Sequence, residues 1–507
     1  QLWPAGPGRY PFLALAPTGR SQAEQMRSNA SGIGTRVKVR TAGRWTVLDA
    51  LDPHSGAGQS LTPLSVGLGG HARADFVALE WSDGVSQTEI DLEAGRLHEI
   101  AETERQLASC PVVFSWDGHS YRFISDVLGV GGLGFFDSPG VFAPPRPFEG
   151  YLIDAALLAE RDGRYHVKVS EPMEENAYLD AARILVYDLP EDWMMVLDER
   201  MGIAGPPVTG RAITYRRAQH PSHAMTGEGD EVTDLILTAD HVAPPPGEVD
   251  KRFIGLLAED QVLTLEFDRP LDAGGDSGAV LVADGWIEYP YSQTVFAAWQ
   301  AGLRYEAPTL EARGGDGRWY ALAVEFGYPA GMPRKMALPL PELRPGTNAL
   351  RLTSNMEIYW DRLQVVWEEP LDSALRATLA PVAARVAKTG FAKRSTGAQR
   401  LPHYDYADRA PYWDAKYQRG FYTALGDASE LVTEVDGAVA IIGGGEEIHL
   451  EFEAVAAPAN GMRRYFVLDF RGWAKDMDLY TEHGETVAPL PVPEGLDKTM
   501  LARRERL

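Results

Sequence analysis

The segment Val262-Leu-Thr-Leu-Glu-Phe267 partly alternates apolar and polar side chains, which is typical of a β-strand with one buried face. Runs of the same rhythm recur at 36–40, 75–81, 165–169, 182–187, 319–326 and 349–352. Asp-Gly pairs punctuate these runs, and the dipeptide supplies the left-handed backbone of tight hairpins: Asp83-Gly84, Asp117-Gly118, Asp162-Gly163, Asp284-Gly285, Asp316-Gly317 and Asp436-Gly437. We predict a mainly β chain of several antiparallel sandwich or jelly-roll-like domains with few short helices.

Helical periodicity is limited to three segments. Residues 101–109 and 294–303 are short, whereas residues 371–388 form the longest apolar-periodic run and include Pro381. The last run fits a helix or, equally, a helix–strand pair.

The length and net charge of the chain exclude several classes of protein. A chain of 507 residues is too long for one compact core, and its 48 basic and 72 acidic residues give a net charge of −24. Because such a chain repels phosphates, we expect no nucleic-acid partner. Cys110 is the only cysteine, which excludes a disulfide scaffold, and no apolar run approaches the roughly 18 residues of a transmembrane segment.

Three blocks in the first hundred residues resemble the ASPIC/UnbV domain. They are Gly32-Ile-Gly-Thr-Arg-Val-Lys-Val-Arg40, Val66-Gly-Leu-Gly69 and Ala74-Asp-Phe-Val-Ala-Leu-Glu-Trp-Ser-Asp-Gly84, with Gln87 close behind. In that family the β-rich module follows an FG-GAP β-propeller, and many bacterial members are exported. The resemblance therefore implies a periplasmic or extracellular protein and a propeller upstream of residue 28. It brings no catalytic residues.

Pro/Gly-rich stretches and the resemblance together predict the domain order. Boundaries are expected near 108, 190, 305 and 395. The predicted segments are a propeller tail at 1–27, an ASPIC/UnbV-like domain at 28–108, a β-rich domain at 109–190, a sandwich at 191–305, a galactose-binding-like jelly roll at 306–395 and a β-rich end at 396–507.

Several catalytic motifs are approximated without being completed. Gly275-Asp-Ser-Gly278 resembles a serine-protease nucleophile loop, but His241 stands too close in sequence, and a hairpin turn before Ala279 is the simpler interpretation. Glycine-rich stretches at 129–134 and 438–445 lack the helix that a dinucleotide site requires, so loops are expected. His220 and His223 are interpreted as surface-loop residues because Pro221 prevents a helical metal motif.

Two groups of residues remain as candidate binding sites. Clustered aromatic side chains can stack on sugars or fill an interface, although core packing is the favoured interpretation: Trp299, Trp319, Tyr320, Tyr328, Tyr359 and Trp360. Asp476, Asp478 and Glu482 offer oxygen ligands for Ca²⁺, against the alternative of a solvated acidic turn. No other cofactor is predicted.

The sequence as a whole favours a non-enzymatic, exported binding or assembly protein that holds a glycan or a protein partner through loops and aromatic surfaces. Two alternatives remain open. One is a carbohydrate-active hydrolase that uses two of the 72 carboxylates, and the other is an accessory subunit of a larger membrane-associated or extracellular complex.

Overall fold

The computed structural model describes residues 10–19, 28–50, 63–82, 86–102, 110–172, 175–202, 204–274, 278–288, 290–410, 418–493 and 495–506. The chain divides into two compact units, residues 1–106 and 107–507. Strands account for 50 % and helices for 8 %, with two α-helices in the described part of the chain. The prediction of a mainly β fold with several antiparallel sheets and few short helices is confirmed.

The described residues of the first unit form seven strands in two sheets. They are β1 (Phe12–Thr18), β2 (Arg36–Thr41), β3 (Arg44–Asp49), β4 (Leu64–Gly67), β5 (Arg73–Glu80), β6 (Ser86–Glu93) and β7 (Leu97–Ala101). One sheet has the order β4-β1-β7 and the other β3-β2-β5-β6. Apolar side chains of alternating positions, such as Leu13, Val37 and Val77, fill the space between them.

The second unit contains the remaining strands and both α-helices. The strands are β8 (Val112–Trp116), β9 (Tyr121–Asp126), β10 (Phe136–Ser138), β11 (Val141–Phe142), β12 (Phe148–Ile153), β13 (Arg164–Ser170), β14 (Glu175–Pro190), β15 (Met194–Leu197), β16 (Ala212–Gln219), β17 (His223–Thr226), β18 (Leu256–Glu266), β19 (Ala279–Ile287), β20 (Thr309–Arg313), β21 (Trp319–Ala323), β22 (Arg334–Pro339), β23 (Ala349–Met356), β24 (Ile358–Glu368), β25 (Leu375–Leu379), β26 (Pro381–Lys388), β27 (Phe391–Thr396), β28 (Pro402–Ala410), β29 (Gly426–Asp427), β30 (Ala440–Ile442), β31 (Glu446–Glu453) and β32 (Met462–Asp476). The α-helices are α1 (Ser292–Gln300) and α2 (Lys498–Arg506). Short 3-10 helices lie at Gly129–Gly131, Ala155–Leu157, Thr233–Ile236, Leu271–Gly274, Ala398–Arg400 and Ser429–Leu431.

These strands build two sandwiches. In the first sandwich, the six-stranded sheet β29-β26-β31-β13-β8-β9 packs on the sheet β12-β32-β14-β25. In the second, the sheet β15-β16-β24-β19-β22 packs on β17-β18-β23-β20-β21. The hairpins β10-β11 and β27-β28 lie outside these sheets. Among the described residues, no helix has the length and apolar character needed to cross a bilayer.

Sheet pairing is interleaved along the sequence of the second unit. Strand β14 pairs with β25 and β32, β18 pairs with β23, and β26 pairs with β31. Hydrogen-bonded ladders therefore cross each of the predicted boundaries at 190, 305 and 395. The domain boundaries at these positions therefore remain predictions.

Two local predictions are wrong. Residues 371–388 contain the strands β25 and β26 in place of a helix, because Pro381 lacks the N–H that a helix interior needs and holds Ala380 in extended backbone. The hairpin expected between residues 262–267 and 279–282 does not form, since β18 and β19 belong to different sheets. Residues 275–277 of that motif lie outside the described part. The helix expected at 294–303 is confirmed as α1.

A buried ion network joins the two sandwiches of the second unit. Arg334, at the start of β22, donates to the carboxylates of Glu149 and Asp126 and, at 2.6 Å, to the carbonyl oxygen of Asp126. All three side chains are at most 3 % exposed. Nearby, the carboxylate of Glu199 accepts from Arg146 and, at 3.0 Å, from the amide of Gly150. Burial raises the pKa of Glu199 to about 7, although Arg146 opposes the shift.

The raised pKa of Glu199 makes stability depend on pH. The folded chain binds this proton more tightly than the unfolded chain, so the contribution is complete below about pH 4.5 and disappears as pH rises through about 7. We expect the free energy of unfolding to fall by roughly 3 kcal/mol over this window because of Glu199. Urea unfolding at several pH values should show a flatter profile for Glu199→Gln. The exposed Glu453→Gln is the control, and parallel profiles for wild type and Glu199→Gln would contradict the prediction.

Candidate ligand-binding cleft

A β-bulge interrupts the pairing of β19 with β24. Asp284 pairs with Arg362 and Gly285 pairs with Trp360, so Asp361 is the extra residue on β24. Trp360 and Leu363 both point into the core of the second sandwich. The two residues between them, Asp361 and Arg362, therefore share the outer face of the sheet with Asp284.

Gly285 is the residue that permits this bulge. A Cβ atom at this position would lie 2.4 Å from the carbonyl oxygen of Tyr359, which is closer than real Cβ contacts allow. Asp284-Gly285 was expected to form a hairpin turn, and that prediction is wrong, because the pair lies inside β19. The pairs at 117–118, 162–163 and 316–317 do lie in turns that connect antiparallel partners.

The bulge faces a cleft of about 690 Å³ between the two sandwiches. The strands β12, β19, β22, β24 and β32 and adjacent loops contribute the lining. Its charged and basic side chains are three carboxylates and five nitrogen bases: Asp154, Asp284, Asp361, His241, Lys335, Arg334, Arg463 and Arg464. Tyr151 and Tyr465 also line it. The volume and the mixture of ring surfaces with converging polar groups are typical of small-ligand sites.

The two central carboxylates have different electrostatic surroundings. Asp284 accepts two hydrogen bonds from the guanidinium of Arg362, at 2.7 and 2.9 Å. Asp361 accepts from the backbone amides of Asp240 and His241 at 3.1–3.2 Å. Burial raises the pKa of Asp361, and the charge of Asp284 raises it further, against these amide bonds. Burial also lowers the pKa of Lys335.

The outer face continues beyond the cleft as a row of paired side chains on β19 and β24. The rings of Trp286 and Tyr359 stack with centroids 5.3 Å apart and an interplanar angle of 9°. Beyond them, Glu357 accepts from the Tyr359 hydroxyl at 2.6 Å and from Arg400 at 2.7 Å, while the amide of Glu288 donates to the Glu357 carbonyl oxygen. The order along the strands is thus acidic pair, aromatic pair, acidic pair.

Two loop segments cover the stacked rings. Ala243 and Gln399 exchange two hydrogen bonds, at 2.9 and 2.6 Å, and Trp286 donates to the Gln399 carbonyl oxygen at 2.8 Å. His241, Gln399 and Arg400 have positive φ values of 67°, 51° and 58°, a backbone region that is strained for these residue types. Strained backbone therefore occurs in both segments that cover the stacked rings, and one of the strained residues, His241, also lines the cleft.

Three of the six predicted aromatic residues are buried. Tyr328 and Trp360 belong to the core of the second sandwich, and Tyr359 is covered by the segment just described. Their exposed fractions are 8 %, 2 % and 6 %. These three rings therefore serve core packing, which was the favoured interpretation, because none has an exposed face on which a sugar could stack.

The other three aromatic residues keep exposed surface but lie apart from the cleft lining. Two guanidinium groups lie near the ring of Trp319 on β21, with Arg351 at 4.3 Å and Arg313 at 5.7 Å from its centre. The Tyr320 hydroxyl contacts Thr347 at 2.8 Å. Trp299 on α1 is 47 % exposed beside Phe296. A sugar-stacking role stays a prediction for these three.

The three predicted Ca²⁺ ligands do not gather around one point. Asp478 accepts from the amides of Gln293 and Tyr480, at 2.7 and 2.8 Å, and so caps the start of α1. Asp476 ends β32, and Glu482 is exposed. Within the described ranges, no three His, Cys, Asp or Glu side chains form a metal-binding group. The Ca²⁺ prediction has no geometric support there.

The remaining motifs lie mainly in loops and short connections. Gly129–Gly131 forms a 3-10 helix that leads into β10 with no α-helix at the glycines, and residues 443–445 connect β30 to β31. His220 and His223 are both exposed, but His223 begins β17, so the surface-loop prediction is wrong for His223. His241 lines the cleft, a position that its protease-like motif did not indicate.

Sequence reasoning missed Asp284, Asp361 and Lys335. One signal was available: Gly285 stands inside an apolar run, Ala279-Val-Leu-Val-Ala-Asp-Gly-Trp-Ile287, and a glycine within a strand often marks a bulge. The partner strand and the position of the extra residue could not be read from that run.

Comparison with known proteins identifies the first unit. Residues 25–107 match the family model described as ASPIC and UnbV. The chain therefore carries an ASPIC/UnbV domain, and the resemblance seen in the sequence is confirmed. No curated protein matches the chain.

Similarity to solved structures is weak. The arabinofuranosyltransferase AftD from Mycobacteria is 10 % identical over 88 % of this chain, with a TM-score of 0.14, and the chain spans 31 % of its length. The secreted serine protease VesC from Vibrio cholerae is 10 % identical over 72 % of this chain and 98 % of its own, with a TM-score of 0.13. Scores this low carry no argument about fold or activity.

Proposed function

We propose that this is an exported binding protein, periplasmic or extracellular, which holds a segment of a glycan in the cleft of its second unit. The observation that carries the proposal is the bulge, because it places Asp361 beside Asp284 in a cleft that Lys335 and His241 also line. A bulge that re-aims a side chain into a cavity is typical of functional sites.

The chemistry of the lining suits a polyhydroxylated ligand. Sugar hydroxyls both donate and accept hydrogen bonds, and the cleft offers carboxylate acceptors together with the Lys335 and His241 donors. Both hydrogen bonds from Arg362 go to Oδ2 of Asp284. No other described residue donates a hydrogen bond to Oδ1, so this oxygen can accept from a ligand. The rings of Tyr151 and Tyr465 add apolar surface that can contact the C–H faces of a sugar.

Binding should depend on the bulge carboxylates. On the best oligosaccharide from a glycan array, we expect Asp361→Asn and Asp284→Asn each to weaken binding at least about tenfold in titration calorimetry, because each removes a charged acceptor. Asp162→Asn, in an exposed turn, is the matched control and should bind as wild type does. A blank array, or unchanged affinity in both cleft variants, would overturn the proposal.

A second function is favoured by the same pair of carboxylates. Burial raises the pKa of Asp361, which favours its protonated form, whereas Asp284 beside it is hydrogen-bonded to the guanidinium of Arg362. Two carboxyl groups in different surroundings are typical of glycoside hydrolases. A hydrolase would release reducing ends, and Asp361→Asn would lower that rate by about 100-fold or more while the ligand still binds. Binding without release by wild type supports the first function.

A further inference from the structure

A second polar cluster lies on the outer face of the six-stranded sheet in the first sandwich. Arg385 on β26, His449 on β31 and Lys168 on β13 are in register across three adjacent strands. The Lys168 ammonium lies 2.9 Å from Nδ1 of His449, and the Arg385 guanidinium lies 3.1 Å from the same nitrogen. None of these residues belongs to the cleft.

The two cations contact the same imidazole nitrogen. Because both reach the same imidazole nitrogen, their own nitrogens lie within about 6 Å of each other, where like charges repel. An imidazole nitrogen has a single lone pair, so it cannot accept fully from both. Lys168 and Arg385 therefore keep N–H groups that can donate hydrogen bonds to a ligand.

Among the described residues, the carboxylate that lies within 4.0 Å of Lys168 and His449 is that of Glu447, and it is already engaged. Glu447 accepts from Arg409 and from the Tyr406 hydroxyl, both at 2.9 Å, and its Oε1 lies 2.8 Å from Nε2 of His449. Lys168 is 3.7 Å from Glu447, beyond a hydrogen bond. One carboxylate thus serves several cations, and Arg385 has no carboxylate within 4.0 Å in the described part of the chain.

The ammonium of Lys168 is held in place by aromatic rings. It lies 4.7 Å from the ring centre of Tyr121 and 5.8 Å from that of Tyr406, and its side chain is 10 % exposed. Burial lowers its pKa to about 8, and the neighbouring charges of Arg385 and Arg409 lower it too, whereas Glu447 opposes the shift. Arg385 is exposed, so the cluster is open to solvent on its side.

We propose that Arg385, Lys168 and His449 form a binding site for a phosphate or sulfate group. A tetrahedral oxyanion can accept from the guanidinium through one pair of oxygens and from the ammonium through another, which supplies the missing negative charge between them. The group can be a free ion or an ester on a larger molecule.

Titration calorimetry of the full chain with inorganic phosphate and inorganic sulfate tests the site. We expect saturable binding with a dissociation constant of about 1 mM or tighter, and at least about a tenfold loss in Arg385→Gln. Lys168→Met, which keeps the length of the side chain, should give a similar loss. Arg164→Gln removes an exposed arginine from the same strand as Lys168 and should leave binding unchanged.

A third arm distinguishes the source of the anion. Glucose 6-sulfate that binds at least about tenfold more tightly than inorganic sulfate indicates an ester ligand, whereas equal affinity indicates a free ion. Absence of saturable binding by wild type, or equal binding by wild type and Arg385→Gln, would overturn the proposal. Arg385, Lys168 and His449 do not line the cleft, so the result of this test does not affect the test of glycan binding in the cleft.

Discussion

Arg334→Met is expected to lower the free energy of unfolding by about 3–5 kcal/mol. The guanidinium is 2 % exposed and compensates two carboxylates, Asp126 and Glu149, which themselves have at most 3 % exposure. Without Arg334 both carboxylates remain buried with no cation, and the link between β22 and the strands β9 and β12 of the other sandwich is lost. Equilibrium urea unfolding measures the effect.

Two comparisons isolate the buried charge. Arg216→Met removes an exposed ion pair with Glu369 and should cost no more than about 1 kcal/mol. Adding Asp126→Asn and Glu149→Gln to Arg334→Met should recover part of the loss, because the stranded charges disappear. A cost for Arg334→Met as small as that of Arg216→Met would show that the network contributes little.

Gly285→Ala is expected to lower the free energy of unfolding by about 2–4 kcal/mol and to abolish binding in the cleft. The new Cβ would lie 2.4 Å from the Tyr359 carbonyl oxygen, a backbone atom that cannot rotate away. The strands β19 and β24 must separate locally, which moves Asp361 away from Asp284. Urea unfolding and calorimetry with the array-selected glycan measure the two effects.

The control for Gly285→Ala lies just before the same strand. At Gly278 a Cβ would meet no atom within 4 Å, so Gly278→Ala should change stability by about 0.5 kcal/mol or less. Unchanged stability of Gly285→Ala would mean that the bulge accommodates a side chain. Reduced stability with full ligand affinity would instead separate the bulge from the binding site.

Strand rhythm was readable from the sequence because each strand alternates between a sheet face and its opposite. Residues 262–266 lie within β18, which ends one residue before Phe267, and residues 36–40 lie within β2, as their alternation predicts. The run 371–388 misled because its apolar residues also fit a helical period. The deciding observation there is Pro381, which begins β26.

The aromatic residues show a different limit of sequence reasoning. Alternation tells which side chains share a face, but not whether another layer covers that face. Tyr359 is covered because residues 240–243 and 399–401, far apart in sequence, meet over it. Trp299 is exposed although its neighbours on α1 are apolar.

The sequence alone determined the β class, the ASPIC/UnbV domain and the acidic charge, since these depend on local pattern and composition. Tertiary structure alone decided the site. Asp284 and Asp361 are 77 positions apart along the chain, and only the register of β19 on β24, shifted by one residue at Gly285, brings both onto one face. Register depends on long-range pairing and packing, which no local stretch of sequence specifies.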